Sequence, residues 1–298
     1  NAPGTVWLTA ANGDVRILNT SAANDIQTSG AITLALQGSG AKLTVEAGAN
    51  VLSSGSLSPV FTADRMDLAG TIMATGQTVT LQPQSTGRLV NLGSTSDTAA
   101  DTLELSDAEL DRITAGTLRI GTSNSGAIDI TQSINPAQAN TLHLSSGSSI
   151  TQPGSLPREI TVPQFAAEAT GDITLNISND FGKVAALSTA GAVYLNDANH
   201  MLVGAVDGLT QSRAATNLTL VTQNGNVTVE DTSAGDELAA TNLSVTLYGA
   251  ETVFEQLAGS RISASNQAGV AADKMKLAGQ IAGNTVQLQP RRASLALD

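Results

Sequence analysis

The sequence predicts an all-β protein, and within that class a right-handed parallel β-helix (β-solenoid) with short helical or loop excursions. Three observations predict it: short segments with alternating apolar and polar residues, a composition almost without aromatic side chains, and a long internal repeat. Right-handed winding is expected because parallel crossover connections are generally right-handed.

Short alternating segments recur along the chain and indicate β-strands. Examples are GDVRIL (13–18), GAITLAL (30–36), GTLRIG (116–121) and NTVQLQ (284–289). Each alternates apolar and polar residues, so that one face is buried and the other is solvated. Gly, Asn or Asp introduces most of them, and these residues favour turns. The strand starts lie roughly 10–15 residues apart, which is the regular spacing of an all-β fold.

The composition favours a stack of small coils over one compact core. Aromatic residues make up 2% of the 298 residues, whereas hydrophobic residues, mostly Ala, Val, Leu and Ile, make up 41%. A coil of two or three short strands takes roughly 20–25 residues, which predicts about 12–14 coils. Such coils bury small aliphatic side chains against the coils above and below. The predicted inward rungs are Val15, Ile17, Val79, Leu81, Leu118, Ile120, Val286 and Leu288, and the predicted turn residues are Asn12, Gly13, Asn224 and Gly225.

An internal repeat sets the domain organisation. Residues 5–83 recur as residues 216–290, most clearly where ADRMDLAGTI (63–72) matches ADKMKLAGQI (272–281). The chain then holds about 1.4 copies of a repeat of ~210 residues. We therefore expect residues 1–298 to form one continuous β-solenoid that is a window on a longer array.

The spacing between the two copies is not constant. It falls from 212 residues (Leu8 to Leu220) through 209 (Ala63 to Ala272) to 207 (Thr78 to Thr285). Small deletions in turns account for this drift.

Three segments interrupt the strand pattern. In residues 106–116, Ser106 and Glu109 have capping-box spacing, which predicts one or two helical turns. Residues 154–171 contain two prolines and are predicted to be a loop with a docked strand. Residues 198–215 are predicted to be an irregular excursion between coils.

Several classes of protein are disfavoured. The formal net charge of −12 provides no basic surface for nucleic acid. No apolar run reaches the roughly 18 residues of a transmembrane helix. The chain has no Cys, which excludes disulfides and thiolate metal sites and is compatible with an extracellular location.

Catalytic and metal-binding patterns are weak, so we expect no catalytic residue, no cofactor and no metal. His143 is expected on a solvated strand face and His200 in a polar loop. Calcium is a possible but disfavoured ligand, because the chain has no EF-hand loop and no glycine-rich calcium repeat. The carboxylates expected to be scattered at solvated strand ends are Asp14, Asp129, Asp172, Asp197 and Asp231. The oxygen-bearing residues considered for calcium are Asn179, Asp180, Asn196, Asp197 and Asn199.

Two segments resemble a known family. AADTLELSDAELDRITAGTLRIGTSNSGAIDIT (99–131) and GAVDGLTQ (204–211) are similar to repeat units of giant bacterial exoproteins of the filamentous-haemagglutinin-like type. The resemblance is to the shaft of such adhesins rather than to their secretion domain. It implies a right-handed β-helical shaft, secretion to the bacterial cell surface or beyond, and roles in adhesion, biofilm or extracellular filaments.

These observations predict a structural, non-enzymatic repeat region of a secreted or cell-surface bacterial protein that forms a stiff extracellular shaft or fibre. Its expected partners are neighbouring repeats or identical subunits end to end. One alternative is an adhesin module that binds a surface glycan or host protein through loops 154–171 and 198–215. A second is a polysaccharide-cleaving β-helix enzyme, which would need at least two carboxylates roughly 5–10 Å apart in a groove.

Overall fold

The chain is all-β, and its strands pair in parallel. The computed structural model describes residues 4–20, 23–154, 157–233 and 235–292. Strands cover 56% of the chain and helix 1%, which confirms the predicted all-β class. The chain divides into two compact units: unit 1 comprises residues 1–148 and 153–158, and unit 2 comprises residues 149–152 and 159–298.

Unit 1 contains fourteen strands and one short helix among its described residues. The strands are β1 Val6–Ala10, β2 Val15–Ile17, β3 Ile26–Thr28, β4 Ile32–Leu36, β5 Lys42–Val45, β6 Asn50–Ser53, β7 Val60–Thr62, β8 Arg65–Leu68, β9 Thr71–Gln82, β10 Leu89–Leu92, β11 Thr102–Leu105, β12 Ile113–Thr122, β13 Ile128–Ile130 and β14 Ala139–Ser146, and the helix is α1 Asp107–Leu110.

Strands of unit 1 pair with the strand three places further along the chain. β1 pairs with β4 and β4 with β7; β2 pairs with β5 and β5 with β8; β3 pairs with β6 and β6 with β9. The long strand β9 carries two of these series at once, and β12 continues both, since it lies beside β9 from Ile113 to Ile120. β10 departs from the pattern, because it pairs with both β11 and β13. Successive strands of the chain thus belong to three paired series in turn.

Unit 2 contains fourteen strands among its described residues. They are β15 Ile150–Thr151, β16 Thr161–Ala169, β17 Ile173–Ser188, β18 Val193–Asp197, β19 Met201–Val203, β20 Ser212–Arg213, β21 Asn217–Thr222, β22 Val227–Val229, β23 Leu238–Leu247, β24 Val253–Gln256, β25 Arg261–Ala271, β26 Lys274–Leu277, β27 Gln280–Ala282 and β28 Thr285–Gln289.

Unit 2 has the same three-series order. One series runs through β18, β21, β23, β25 and β28, and a second through β19, β22, β24 and β26. The third runs through β20, β23, β25 and β27. All of these pairings are parallel.

Alternation of side chains builds the core. In β4 every second residue is fully buried, and Ile32, Leu34 and Leu36 are each 0% exposed. β-Branched and other aliphatic residues fit this pleated, half-buried surface well. The four Phe residues are all fully buried, and the rings of Phe165 and Phe181 stack with their centroids 4.5 Å apart. The Phe residues therefore belong to the core, whereas Trp7 and Tyr248 are exposed.

The predicted helix is present but short. α1 begins after Ser106, whose hydroxyl accepts a hydrogen bond from the Glu109 N–H, while the Glu109 carboxylate accepts one from the Ser106 N–H. This reciprocal pair is the capping box that the sequence indicated. The rest of segment 106–116 is not helical, because β12 begins at Ile113. No helix among the described residues has the length and apolar character needed to span a membrane.

Segment 154–171 contains the docked strand that was predicted, whereas segment 198–215, predicted to be irregular, also contains a strand. Thr161–Ala169, within segment 154–171, forms nine residues of strand along β17. Within segment 198–215, Met201–Val203 pairs with both β17 and β22. Residues 205–211 remain outside the parallel ladder, and the buried Val206 packs there against Ala166 and Ala185.

Two leucines offer a matched test of the ladder. Leu118 is fully buried between Val79 of β9 and Leu142 of β14, whereas Leu277 is 42% exposed. We expect Leu118→Ala to lower the free energy of unfolding by about 2–5 kcal/mol, because it leaves a cavity inside the stack. Leu277→Ala should cost less than about 1 kcal/mol. Urea unfolding followed by circular dichroism measures both, and equal losses would contradict this description of the core.

Candidate functional site

Six of the eight predicted rungs lie in unit 1 and point into it. Val79, Leu81, Leu118 and Ile120 are each 0% exposed, and they stack in register as Leu118 over Val79 and Ile120 over Leu81. Ile17 is 6% exposed and Val15 is half-buried.

The two predicted rungs of unit 2 are not covered. Val286 is 42% exposed and Leu288 is half-buried. Both lie in β28, which pairs with β25 on one side and, among the described residues, is open to solvent on the other. The sequence pattern predicted a strand here, and β28 is one, but Val286 and Leu288 are not buried as expected of inward rungs.

The predicted turn residues have distinct structural roles. Gly13 has a φ of +85°, a left-handed conformation that glycine adopts without steric cost. Gly225 is needed for another reason, because a Cβ there would lie 2.3 Å from the carbonyl of Asn199. Asn12 and Asn224 are exposed, and the Asn224 N–H donates to the carbonyl of Ala198.

A ladder of amide side chains lies on the outer face of unit 2. The Asn242 amide donates to Asn217 at 2.9 Å, and Asn266 donates to Asn242 at 2.7 Å. Gln267 donates to Gln287 at 2.8 Å in the same way. Asn217, Asn242, Gln267 and Gln287 line a groove of about 280 Å³ with no aromatic side chain among its described lining residues. Amides can bond sugar hydroxyls, but the groove offers no ring on which a sugar could stack.

A carboxylate cluster in unit 1 was not predicted. Asp67 of β8, Asp97 of the loop 93–101 and Glu109 of α1 each place a carboxylate oxygen within 4.8 Å of the others. The Lys42 ammonium lies 3.0 Å from Asp67 and 3.7 Å from Asp97. No other group of three or more His, Asp or Glu residues converges in this way within the described parts of the chain.

Glu109 is held in place by the protein itself. One of its oxygens accepts the Leu68 N–H at 2.9 Å. The other accepts both the N–H and the hydroxyl of Ser106, at 2.8 and 2.7 Å. Glu109 is 9% exposed, so these hydrogen bonds compensate for its burial. They join the end of β8 to the start of α1.

The surroundings of Asp97 disfavour its ionised form. Burial raises the pKa of Asp97 to about 6, and the charges of Glu109, Asp67 and Glu104 act in the same direction, against the opposing effect of Lys42. Like charges at short range disfavour ionisation of all of them together. The cluster therefore has the chemistry to share a proton or to attract a cation.

Asp67, Asp97 and Glu109 do not line the cleft described near them in unit 1. The nearby cleft of about 780 Å³ is lined by residues 93–95, 106–108 and 131–133, and Asp107 is the only carboxylate among them. Burial raises the pKa of Asp107. A glycosidase needs two carboxylates on either side of one bond. The described lining of this cleft supplies one.

The oxygens considered for calcium in unit 2 are largely used by the protein. Asp197 is fully buried, and its two oxygens accept the N–H groups of Phe181 at 2.7 Å and Asn199 at 2.8 Å. Burial raises its pKa to about 6. Asn179 is also fully buried and bonded to Gln152 and to the Ile160 N–H. Asn196 is bonded to Gln223, whereas Asp180 is exposed.

Two predictions of solvated residues are wrong. Asp197 is buried, as described, and His143 is only 5% exposed rather than solvated. His200 is exposed, as expected of a polar loop. The exposed carboxylates Asp14, Asp172 and Asp231 each accept a backbone N–H at a turn (from Lys42, Ala192 and Ser233), and Asp129 is half-buried.

Comparison of the chain with protein-family models, with curated proteins and with solved structures finds no match. Function is therefore inferred from the geometry and the sequence pattern alone.

Neutralising Asp97 should stabilise the protein at neutral pH. Between pH 3.8 and about 6, folded Asp97 binds more protons than unfolded Asp97, so the free energy of unfolding falls as pH rises through this window. We expect Asp97→Asn to raise the free energy of unfolding at pH 7, because the neutral amide removes the unfavourable charge. The gain should be only about 1 kcal/mol, since the side chain is 25% exposed and its charge is partly screened. Asp101→Asn, an exposed control in the same loop, should change little. Thermal unfolding from pH 4 to 7 measures both, and destabilisation by Asp97→Asn would contradict the assignment.

Neutralising Glu109 should have the opposite effect. In Glu109→Gln an amide N–H must face either the Leu68 N–H or the two Ser106 donors, so a buried hydrogen bond is lost. We expect a destabilisation of about 1–3 kcal/mol. Glu255→Gln, which removes only a surface pairing with Lys276, should cost less than about 1 kcal/mol. If Glu109→Gln were as stable as the parent protein in urea unfolding, the proposed joint between β8 and α1 would be wrong.

Proposed function

We propose that this chain is a structural, non-enzymatic segment of a secreted or cell-surface bacterial protein of the filamentous-haemagglutinin-like type. Its parallel strands wind as a right-handed β-helix, and the function is to form a stiff extracellular shaft or fibre. The observation that supports this most directly is the parallel pairing of strands two or three places apart in the chain, repeated along three series in both units.

The pairing offsets fit a coil of three short sides. Ile26 pairs with Val51 and Val51 with Ile72, at separations of 25 and 21 residues. Each such step adds one layer of about 4.8 Å along the direction of the hydrogen bonds. In such a stack each layer is bonded to the layers before and after it, so stability grows with the number of layers. This is the property that a long shaft requires.

The carboxylates support a structural role over a catalytic one. Glu109 is used to join α1 to β8, and Asp14, Asp172 and Asp231 hold turns. The segments considered for glycan binding contribute strands Thr161–Ala169 and Met201–Val203 to the ladder. Neighbouring repeats or identical subunits are then the expected partners, as in other stacked-repeat proteins.

Electron microscopy of the native secreted material tests this function. We expect thin fibres whose power spectrum has a meridional reflection near ~4.8 Å and a longer axial repeat near ~45 Å for each 210-residue repeat. Separate compact particles without the ~4.8 Å reflection would overturn the proposal.

A matched pair of variants links any fibre to the ladder. Ile120→Asp places a charge in the fully buried stack and should abolish the fibre, because an unpaired buried carboxylate is strongly unfavourable. Arg119→Asp changes the adjacent exposed position and should leave the reflection in place.

A further inference from the structure

The last strands of unit 2 present an exposed apolar surface, which we call the end face. It consists of Met275 and Leu277 in β26, Ile281 in β27, and Val286 and Leu288 in β28. Leu277 and Val286 are each 42% exposed, and the other three are half-buried. Apolar and polar residues alternate in these strands as they do in buried strands of the chain, but here the apolar side chains are at least partly exposed.

The first copy of the repeat shows what covers the same side chains. The residues that correspond to the end face are each at most 1% exposed. They also have equivalent neighbours on the preceding strand: Phe61 lies beside Leu81 in β9, as Val270 lies beside Leu288 in β28. In the first copy β12 lies beside β9 and places Leu118 and Ile120 next to Val79 and Leu81, whereas no described strand lies beyond β28. The corresponding residues of the first copy are Met66, Leu68, Ile72, Val79 and Leu81.

A buried carboxylate beside the end face lacks a donor. Asp64 in the first copy accepts the Gly40 N–H on one oxygen and the Ser85 N–H on the other, at 2.8 and 2.7 Å. Its counterpart Asp273 accepts the Glu251 N–H at 2.9 Å and contacts Arg292 at 2.5 Å, both through Oδ2. Oδ1 of Asp273 is buried and has no hydrogen-bond partner within the described residues. Arg292 stands where the first copy has Ser85, 207 residues earlier.

The charges at the end face also favour a covering segment that carries carboxylates. In the first copy Asp67 meets Asp97 and Glu109, which is an unfavourable cluster. The second copy has Lys276 in place of Asp67. The Lys276 side chain is 66% exposed and reaches only Glu255, at 3.4 Å, among the described ion pairs. A covering segment like that of the first copy would bring two carboxylates to this lysine instead of to an aspartate.

We propose that the end face is a docking surface for a further polypeptide segment with the sequence pattern of residues 92–148 of this chain. Such a segment would lay an equivalent of β12 over Val286 and Leu288, offer a donor to Oδ1 of Asp273, and place equivalents of Asp97 and Glu109 beside Lys276. The inference deepens the proposed shaft function, since it specifies which sequence follows at a joint between repeats.

An extended protein tests the proposal: the full chain 1–298 followed directly by a second copy of residues 92–148, which keeps the register because Asp298 lies 207 residues after Asn91. The chain has no Cys, so Val286→Cys introduces a single thiol, the reporter thiol, under the appended copy of Leu118. We expect maleimide labelling of the reporter thiol to slow by about tenfold or more in the extended protein, since labelling would require local opening of the joint. Val79→Cys in the unextended protein gives the rate of the covered position.

Two control variants keep the test specific. Leu118→Asp, made only in the appended copy, should restore fast labelling, because it places a charge against the end face. Lys276→Asp in the extended protein should also speed labelling, which non-specific apolar contact would not do. Unchanged labelling of the reporter thiol on extension would overturn the inference.

Other occupants would give different results. Protection of the reporter thiol in the unextended protein that increases with protein concentration would make a second copy of the chain the occupant. Protection independent of concentration would mean that the chain covers its own end face. Either result would overturn the docking proposal. Fibres with the expected reflection would still support the shaft, so the two proposals can fail separately.

Discussion

The in-register parallel hydrogen-bond ladder is the interaction on which the rest of this structure depends. Because residues pair in register over most of each strand, buried side chains lie beside side chains of similar size and character in the next strand. Leu118 lies between Val79 and Leu142, and Ile120 lies between Leu81 and Leu144. Small aliphatic residues suffice for such contacts, which explains how a chain with 2% aromatic residues builds a core.

The strands of this protein are predictable from sequence where alternation is long and bounded by turn residues, as in β4 and β12. Strand length is less predictable. The docked strand expected in segment 154–171 is present, but it runs through Pro163, where the register passes from Val162 to Gln164 and Gly182 of β17 lies close by. Met201–Val203 is too short to be recognised alone, and its pairing with β17 and β22 identifies it as a strand. Alternation predicts on which side of a strand a residue lies, but not whether other residues cover that side. For this reason the burial of His143 was not predicted.

The carboxylate cluster shows a different limit. Asp67, Asp97 and Glu109 come from a strand, a loop and a helix, and no spacing in the sequence brings them together. The capping box did identify Glu109 as a structural residue. Its second bond, to the Leu68 N–H, arises only because α1 lies at the end of β8. A single side chain thus serves a local motif that sequence reveals and a tertiary contact that it does not.

The drift between the two copies of the repeat has a consequence for how such chains change. In the first copy, β9 is one continuous strand from Thr71 to Gln82. Its counterpart in the second copy is divided into β27 and β28, and the turn between these two strands makes the segment two residues shorter. The pairings on either side of that turn are nevertheless the same. Each strand is aligned by the strand with which it pairs, so a change of length in one turn leaves the pairings beyond that turn unchanged. Unequal recombination between copies would therefore lengthen or shorten the protein while leaving the surviving strand pairings in place.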